Sequence, residues 1–517
     1  MSLTDSKNDS DYHKDAEANG VPASNELADE LLENLGYSPE LARNRSTFQV
    51  TFMAVILASI PYGLATTMYY PLVGGGPVNI IWGWVAISLI TLCVAASLGE
   101  ITSIYPTAGG VYYQAFMLAP MRWRRIAGWI CGWLYLVGNI TITLAVTFGT
   151  TQFIVSCVNV FETAPGVGVL AGEAYQVFLI FLAMTFLCNA VSALGNRWLP
   201  LLDTAAIFLT IAGVLAIIIT CLVLAKHGRH TAEYTFTNFE VSSGWTPGWS
   251  FCIGLLQAGY GTSSTGMIVS MCEEVQKPSI QVPKALIATV FFNFIVGLLF
   301  LIPMVFVLPE ISTLIASSQP FPLIVKSAVG SSGIAFALLL PLMILGTMCG
   351  IGCTTASSRC VWAFARDGAV PGSKWWMVIH KKLDMPFNAM MLSMAVQIIL
   401  GIVYFGSSAA FNAFSGVGVI CLTTSYTVPI AINLFTGRKK VKNASFNLGA
   451  FGFVSNIVAV AWASFVVPLF CMPSALPVSS TTMNYASVVF VAATLVSGVW
   501  YWVWGRKNYA GPPTHDE

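Results

Sequence analysis

Two short stretches hold residues whose types and order could handle a small charged molecule. They are Ala58-Ser59-Ile60-Pro61-Tyr62-Gly63 and Gly259-Tyr260-Gly261-Thr262-Ser263-Ser264-Thr265-Gly266, and each interrupts an apolar run. Proline lacks the N–H that a helix interior needs, and glycine tolerates irregular backbone, so each stretch is expected to break its helix. A broken helix offers the N–H groups and positive dipole end of its distal half to a carboxylate. The freed carbonyls of its proximal half suit an ammonium or a small cation. Ser59, Ile60, Pro61, Tyr62 and Gly63 on one side, and Tyr260, Gly261, Thr262 and Ser263 on the other, are therefore the candidate binding residues. The plainer reading is a proline kink beside a small-residue packing face. Matching positions in two halves of the chain favour a site.

The elements that must position these stretches span a lipid bilayer. Of 517 residues, 56% are hydrophobic and only 9% charged, too few charges to cover a water-soluble body of this size. We read twelve membrane helices at 47–71, 78–103, 125–157, 175–194, 200–225, 249–272, 284–308, 333–358, 387–405, 409–435, 448–471 and 483–504. The third is long enough to tilt or to contain its own loop entry. The interrupted stretches fall in spans 1 and 6, the first helices of two successive five-span units, 47–225 and 249–435, with two further helices over 448–504. Residues 1–45 carry ten acids and read as a polar tail, disordered over about the first 24. Within it, 25–42 is expected to form an amphipathic helix with Leu27, Leu31, Leu32 and Leu35 on one side. A second tail covers 505–517. Without a positively charged n-region before a short apolar stretch, no cleavable signal peptide is expected ahead of span 1.

Alternate loops divide the 24 Lys and Arg into 21 on the side of the tails and three, Lys226, Arg229 and Lys326, on the other. This bias places both termini in the cytosol. Lys+Arg at 24 nearly equals Asp+Glu at 23, so nothing points to nucleic acid. The 12 cysteines lie mostly in apolar runs, and Cys349 and Cys353 have no accompanying His or second Cys pair, so no metal is expected. No catalytic triad, HExxH or phosphate-binding loop is present, and the five His all sit in tails or loops, so an enzyme and a cofactor are not expected.

Acids are scarce where the bilayer is deepest. Glu100, Asp203 and Glu273-Glu274 all fall near span ends, and none lies at a midplane. A buried dication would lack a counter-charge there, so a net-neutral zwitterion is favoured. The alternative is a monocation held by aromatic faces such as Tyr62, Tyr260, Trp133 and Tyr135. Glu100 and Glu273 are candidates for proton carriage. The favoured reading is that they cap helices or pair with Arg122, Arg124 or Arg366 as gate residues. The run from Arg359 to Asp367 reads as an ionic latch outside the hydrocarbon.

Several motifs resemble one family. Leu35-Gly36-Tyr37-Ser38-Pro39-Glu40-Leu41-Ala42-Arg43-Asn44 precedes span 1, and Ile60-Pro61-Tyr62-Gly63 lies within it. Ser97-Leu98-Gly99-Glu100-Ile101 is followed by Tyr105-Pro106-Thr107-Ala108-Gly109-Gly110-Val111-Tyr112-Tyr113. Glu273-Glu274-Val275, then Trp362-Ala363-Phe364-Ala365-Arg366-Asp367-Gly368, and finally Met483-Asn484-Tyr485 complete the pattern. Together they resemble the fungal amino acid/choline transporters, including GABA permeases and choline carriers, of the amino acid–polyamine–organocation superfamily. The resemblance covers about residues 30–513. It implies an all-α, twelve-helix fold with a five-plus-five inverted repeat, discontinuous helices 1 and 6 and two added C-terminal helices. It also implies secondary active transport, generally proton-driven, of amino acids, GABA, choline or related amines, most often at the plasma membrane. By matching position, Asn139 with Thr141 and Thr143 would face the substrate. Thr354 and Thr355 lie where sodium-coupled members of this fold ligate an ion, although hydroxyl-to-backbone bonding explains them as well. Many relatives carry several glycines at the span 1 break, where this chain has Phe52-Met53-Ala54-Val55-Ile56-Leu57, so the break is expected later, at Ser59–Gly63. A solute sensor of the same fold is the other reading, and it would usually carry a longer signalling tail.

Overall fold

A computed structural model describes residues 23–513 apart from 42, 44–46, 165–166, 171, 196–197, 227, 318, 407 and 479–482. Most of the tail expected to be disordered lies outside these residues, as do Lys7, Lys14, Arg45, Arg197 and the last residues, 514–517. The architecture is all-α and polytopic, with one two-stranded hairpin, Glu162–Ala164 against Val167–Gly168. Among the described residues, eleven helices are long and apolar enough to cross a bilayer. The expected sixth span is missing from that count because it is in pieces, Pro247–Gly254, Leu256–Ser263 and a 3₁₀ stretch Ser264–Glu274. Span 6 is therefore present as a discontinuous element.

Span 1 breaks where its proline requires. A helix over Thr47–Ala58 stops at Ser59, whose backbone is left-handed at φ 43°, and resumes over Ile60–Thr66 and Tyr69–Gly74. Pro61 cannot donate to the carbonyl of Leu57 four residues back. The Ser264 hydroxyl, from span 6, donates to that carbonyl at 2.6 Å instead. The break in span 6 is treated alike: Tyr426 of span 10 donates its hydroxyl to the Ser263 carbonyl at 3.1 Å. Gln257 Nε2 donates to the Leu64 carbonyl, in the last turn of the short helix, at 2.8 Å. The two broken spans meet at Gly63 and Gly261, where a Cβ on Gly63 would lie 3.6 Å from the Gly261 Cα, in ordinary contact.

Spans 1 to 4 each pack on their counterparts 6 to 9 in the second half, as helices related by an inverted repeat do. Span 3, Arg124–Val158, is one uninterrupted helix without a loop entry. At 35 residues it is about 52 Å long, which exceeds the hydrocarbon and carries it beyond both faces. Span 8 also runs longer than expected, Ser332–Arg366, so Arg359 lies in a helix and not in a loop. The amphipathic segment is helical only over Ala23–Asn34, with Leu32 buried and Leu31 and Leu35 partly so.

Spans 2 and 7 are keyed together by Trp84. Its indole lies over Gly297, and its Nε1 donates to the Phe294 carbonyl at 3.1 Å. Any side chain at 297 collides with the indole, so Gly297→Val is expected to destabilise the fold by about 1–3 kcal/mol. Gly333→Ala, which meets open space, should leave stability unchanged. Melting of both variants in detergent, followed by size-exclusion fluorescence, checks the pair; equal melting points would remove the keying role.

Candidate functional site

A cavity of about 500 Å³ opens at the end of the bundle that carries the hairpin, opposite residues 23–41. It descends between spans 1, 3, 6 and 10 and is lined by Thr66, Tyr70, Gln152, Tyr260, Ser415 and Asn484 among others. Among the described residues no Asp, Glu, Lys or Arg lines it. Its surface is about half polar, supplied by hydroxyls and amides, and three tyrosine rings, Tyr69, Tyr70 and Tyr260, face it.

Of the candidate binding residues, Tyr260 alone lines this cavity. Tyr62 lies just beneath its floor: a Cβ on Gly149, a cavity residue, would come within 3.3 Å of the phenol oxygen. The Tyr62 hydroxyl bonds to Thr150 Oγ1 at 2.8 Å and to the Val146 carbonyl at 3.0 Å, tying span 1 to span 3. Ser59, Ile60, Pro61 and Gly63 are buried in the span 1 break. Gly261 sits against Ile60 and Trp84. Thr262 and Ser263 instead border a water-sized void of about 30 Å³ with Thr91, Thr423 and Tyr426. Asn139 is fully buried, donating to the Tyr135 carbonyl at 2.8 Å with its Oδ1 unpaired. Thr141 and Thr143 donate back to carbonyls of their own helix.

Other cavity residues escaped the sequence reading. Thr66, Thr67, Tyr69, Tyr70 and Gln152 lie beyond the breaks, in outer halves where polar residues are unremarkable by type. Asn484 was legible only as part of the Met483-Asn484-Tyr485 motif. Its amide bonds the carbonyls of Phe470 and Met472 at 2.7 and 3.0 Å, which fixes the cavity wall.

The opposite end is closed by ion pairs. Glu273 takes Arg366 at 2.9 Å, a partner foreseen from the sequence, and accepts the Ala108 N–H at 2.9 Å. Glu100 pairs with Arg438 at 2.7 Å and accepts the Leu448 N–H, so its partner is none of the arginines expected. Their separation by 338 residues left no local signal. Arg359, fully buried, pairs with Glu274 at 2.7 Å. Thr355 donates to its own helix and meets Ser192 of span 4 at 2.8 Å, while Thr354 Oγ1 is unpaired. No cluster able to hold a metal ion occurs among the described residues.

The N-terminal segment lies across this closed end. Arg43 binds Asp29 at 2.6 Å and the Val275 carbonyl at 3.0 Å, and Tyr113 donates to the Leu35 carbonyl. Tyr37 and Tyr112 donate to the Asp367 carboxylate at 3.0 and 2.7 Å, and the Arg366 guanidinium lies 3.9 Å from the Tyr37 ring centroid. The structure thus has a polar cavity at one end and an ionic seal at the other.

The sequence profile of the amino acid permease family matches residues 46–493. An uncharacterized amino-acid permease of Schizosaccharomyces pombe is 32% identical over 496 residues, covering 95% of this chain and 90% of that protein. A choline transporter of Saccharomyces cerevisiae is 29% identical, covering 91% of this chain and 83% of its own length. A polyamine transporter of the same yeast is 29% identical, covering 94% and 79%.

The seal contains a group that titrates near neutrality. Withdrawal from water raises the Asp367 carboxyl to about 6, against the opposing pull of Arg366 and of the Tyr112 and Tyr37 hydroxyls, with Glu273 adding to the rise. Glu40 is the other acid facing Arg366. When the segment lifts and Asp367 meets water, its pKa returns to about 4. The closed form therefore holds the proton more tightly, and this contribution to closure is fully present at low pH and lost as pH rises through 6. Energy transfer between dyes at exposed positions 30 and 374 should report a larger docked fraction at pH 5 than at pH 7.5. In Asp367→Asn the pH dependence should vanish; if it persists unchanged, another group controls docking.

Proposed function

We propose that this chain, which belongs to the amino acid permease family, takes up a small solute carrying an amine but no net charge, by alternating access through the cavity above Tyr260. It is a transporter of amino-bearing solutes, not an enzyme, and it is a multi-pass integral membrane protein. The observation that carries the finer reading is the charge-free polar cavity bordering the broken spans. A zwitterion brings its own two charges, so amides, hydroxyls and helix-end dipoles suffice to replace its water. A polyamine would enter a low-dielectric space with several positive charges and no carboxylate to meet them. On this reading the chain does not carry the polyamine that the name of its yeast relative specifies.

With the tails in the cytosol of a plasma-membrane protein, the cavity faces outward and the ionic seal faces inward. Transport then requires the seal to part while the outer cavity closes, one five-span half moving against the other around the breaks. Glu100, Glu273 and Arg359 act as gate residues in this scheme, since their pairs must separate or shift together. A proton is the proposed driving ion, in keeping with the resemblance to fungal carriers. Sodium is the alternative, and the unpaired hydroxyl of Thr354 is where it would be sought.

The three tyrosine rings on the cavity wall favour one second reading, a quaternary amine such as choline held by aromatic faces. The yeast choline transporter makes that comparison direct.

Uptake of labelled GABA, neutral α-amino acids, choline and spermidine in yeast lacking its own carriers separates these readings, at pH 5 and 7.5 with and without sodium. Saturable uptake of a neutral amino solute, faster at pH 5 and indifferent to sodium, is the expected result. Tyr260→Ala should raise KM by about tenfold, the loss of one well-packed contact of about 1.4 kcal/mol. Spermidine uptake exceeding that of every neutral solute would sink the charge argument, and choline uptake alone would establish the second reading.

A further inference from the structure

A second cavity, of about 380 Å³, lies on the outside of the bundle between spans 3 and 12. Trp129, Trp133 and Val137 of span 3 form one wall, and Phe490, Ala493 and Gly498 of span 12 form the other. Its lining is almost wholly apolar: its hydroxyls are bonded internally, and the Trp133 indole N–H is buried without a partner. The Thr494 hydroxyl donates to the Phe490 carbonyl at 2.8 Å, and the Ser497 hydroxyl accepts from the Trp129 indole at 3.2 Å. From Ile126 to Val137 the groove follows span 3 for about 16 Å, half the hydrocarbon thickness of a bilayer. It is the length of one leaflet.

The mouth of the groove is basic. Arg125 stands one turn before Trp129, and Arg122 is exposed just before span 3. On the other wall, Arg506 and Lys507 follow a π-helical turn, Tyr501–Gly505, that begins at the groove residue Tyr501. The two ends are held together by Trp129, whose ring lies 5.2 Å from Tyr501 and 5.0 Å from Tyr509. Arg122, Arg125, Arg506 and Lys507 are all exposed and make no ion pair among the described residues. These charges lie at the same end as the ionic seal, where every acid of the seal is already engaged.

We propose that this groove binds one acyl chain of an anionic glycerophospholipid of the membrane, whose phosphate-bearing headgroup is held by Arg122, Arg125, Arg506 and Lys507. Apolar length, one-leaflet depth and unpaired positive charge at the headgroup level all match that one class of molecule. A second copy of the chain fits worse. A two-fold contact through span 12 would bring each basic mouth to face its own image. The site shares no lining residue with the central cavity and none of the paired charges of the seal, which it adjoins through Phe364, so the proposal does not depend on which solute is carried. A bound lipid there would clamp span 12 to span 3, the helix against which spans 8 and 10 pack.

The full-length protein, purified in mild detergent, is the material for the test. Native mass spectrometry would be run with added phosphatidylinositol, phosphatidylserine or phosphatidylcholine, alongside melting curves. The expected result is retention of one anionic lipid at concentrations about tenfold lower than phosphatidylcholine requires, with a raised melting temperature. Two variants remove the two halves of the site. One replaces Arg122, Arg125, Arg506 and Lys507 together by Gln. The other is Gly498→Phe, which fills the groove from a position where a side chain meets nothing within 4 Å. Both should melt as the wild type does without lipid and lose the anionic preference. Equal retention of all three lipids would overturn the proposal, as would an unchanged preference in either variant. A dimer mass with no retained lipid would overturn it too, and would assign the face to a second copy.

Discussion

The structure depends on one constraint: a backbone carbonyl deprived of its partner inside a membrane must find another. Pro61 creates that deficit in span 1, and the chain meets it from a distance of about two hundred residues, through the Ser264 hydroxyl. Tyr426 and Gln257 do the same for Ser263 and Leu64. Each unsatisfied group would cost several kcal/mol in hydrocarbon, so these three bonds are conditions for the breaks to exist. They also dictate which helices touch. Span 6 must lie against span 1 and span 10 against span 6, and the two broken stretches come into van der Waals contact at Gly63 and Gly261. Because these caps reach across helices, any shift of span 1 against span 6 must carry the Ser264 hydroxyl with the Leu57 carbonyl or bring that carbonyl another donor.

The two ends of the molecule use different physics for different tasks. The cavity end is neutral and polar, so solute and water can exchange at modest desolvation cost. The sealed end concentrates Glu100, Glu273, Glu274, Arg359, Arg366 and Arg438 in buried or nearly buried pairs. Such pairs add little net stability over apolar packing, yet breaking one by removing a partner is costly. That asymmetry suits a gate. In the proposed cycle the pairs would hold one arrangement against partial opening and would separate together when water reaches both partners. The N-terminal segment adds to this seal by bridging elements that are otherwise far apart in sequence, Val275 through Arg43 and Asp367 through Tyr37.

Much of this was legible in residue order, for reasons that differ by element. The span count and the break positions follow from hydropathy and from proline and glycine chemistry, which act locally, and Ser59 is left-handed where the absence of glycines at 52–57 moved the break. Glu273 with Arg366 was legible because each lies at a span end on the same side. Glu100 with Arg438 was not, since the pairing depends on how the span 10–11 connection folds back against span 2. The extent of span 8 was misjudged because Arg359 and Arg366 look like loop residues until acids of span 6 neutralise them within the bundle. The cavity was the least legible part. Thr66, Tyr70 and Gln152 differ in no way by type from packing residues, and only the assembled helices show that they face empty space.

Asn139, Thr141 and Thr143 mark where a sequence argument and a geometric one diverge most usefully. All three are polar residues deep in span 3, and the resemblance would aim them at a substrate. In this arrangement the threonines donate to their own helix and Asn139 donates to Tyr135, which leaves one amide oxygen unpaired in a fully buried position. An unpaired buried acceptor is costly where it stands and gains a partner only if a donor arrives. Tyr62, locked to Val146 and Thr150, stands between the outer cavity and the depth of the bundle. In the proposed cycle the deep polar groups of span 3 would become available to a solute only when the span 1 break shifts relative to span 3, so that binding at that depth and movement of the broken helix would be one event.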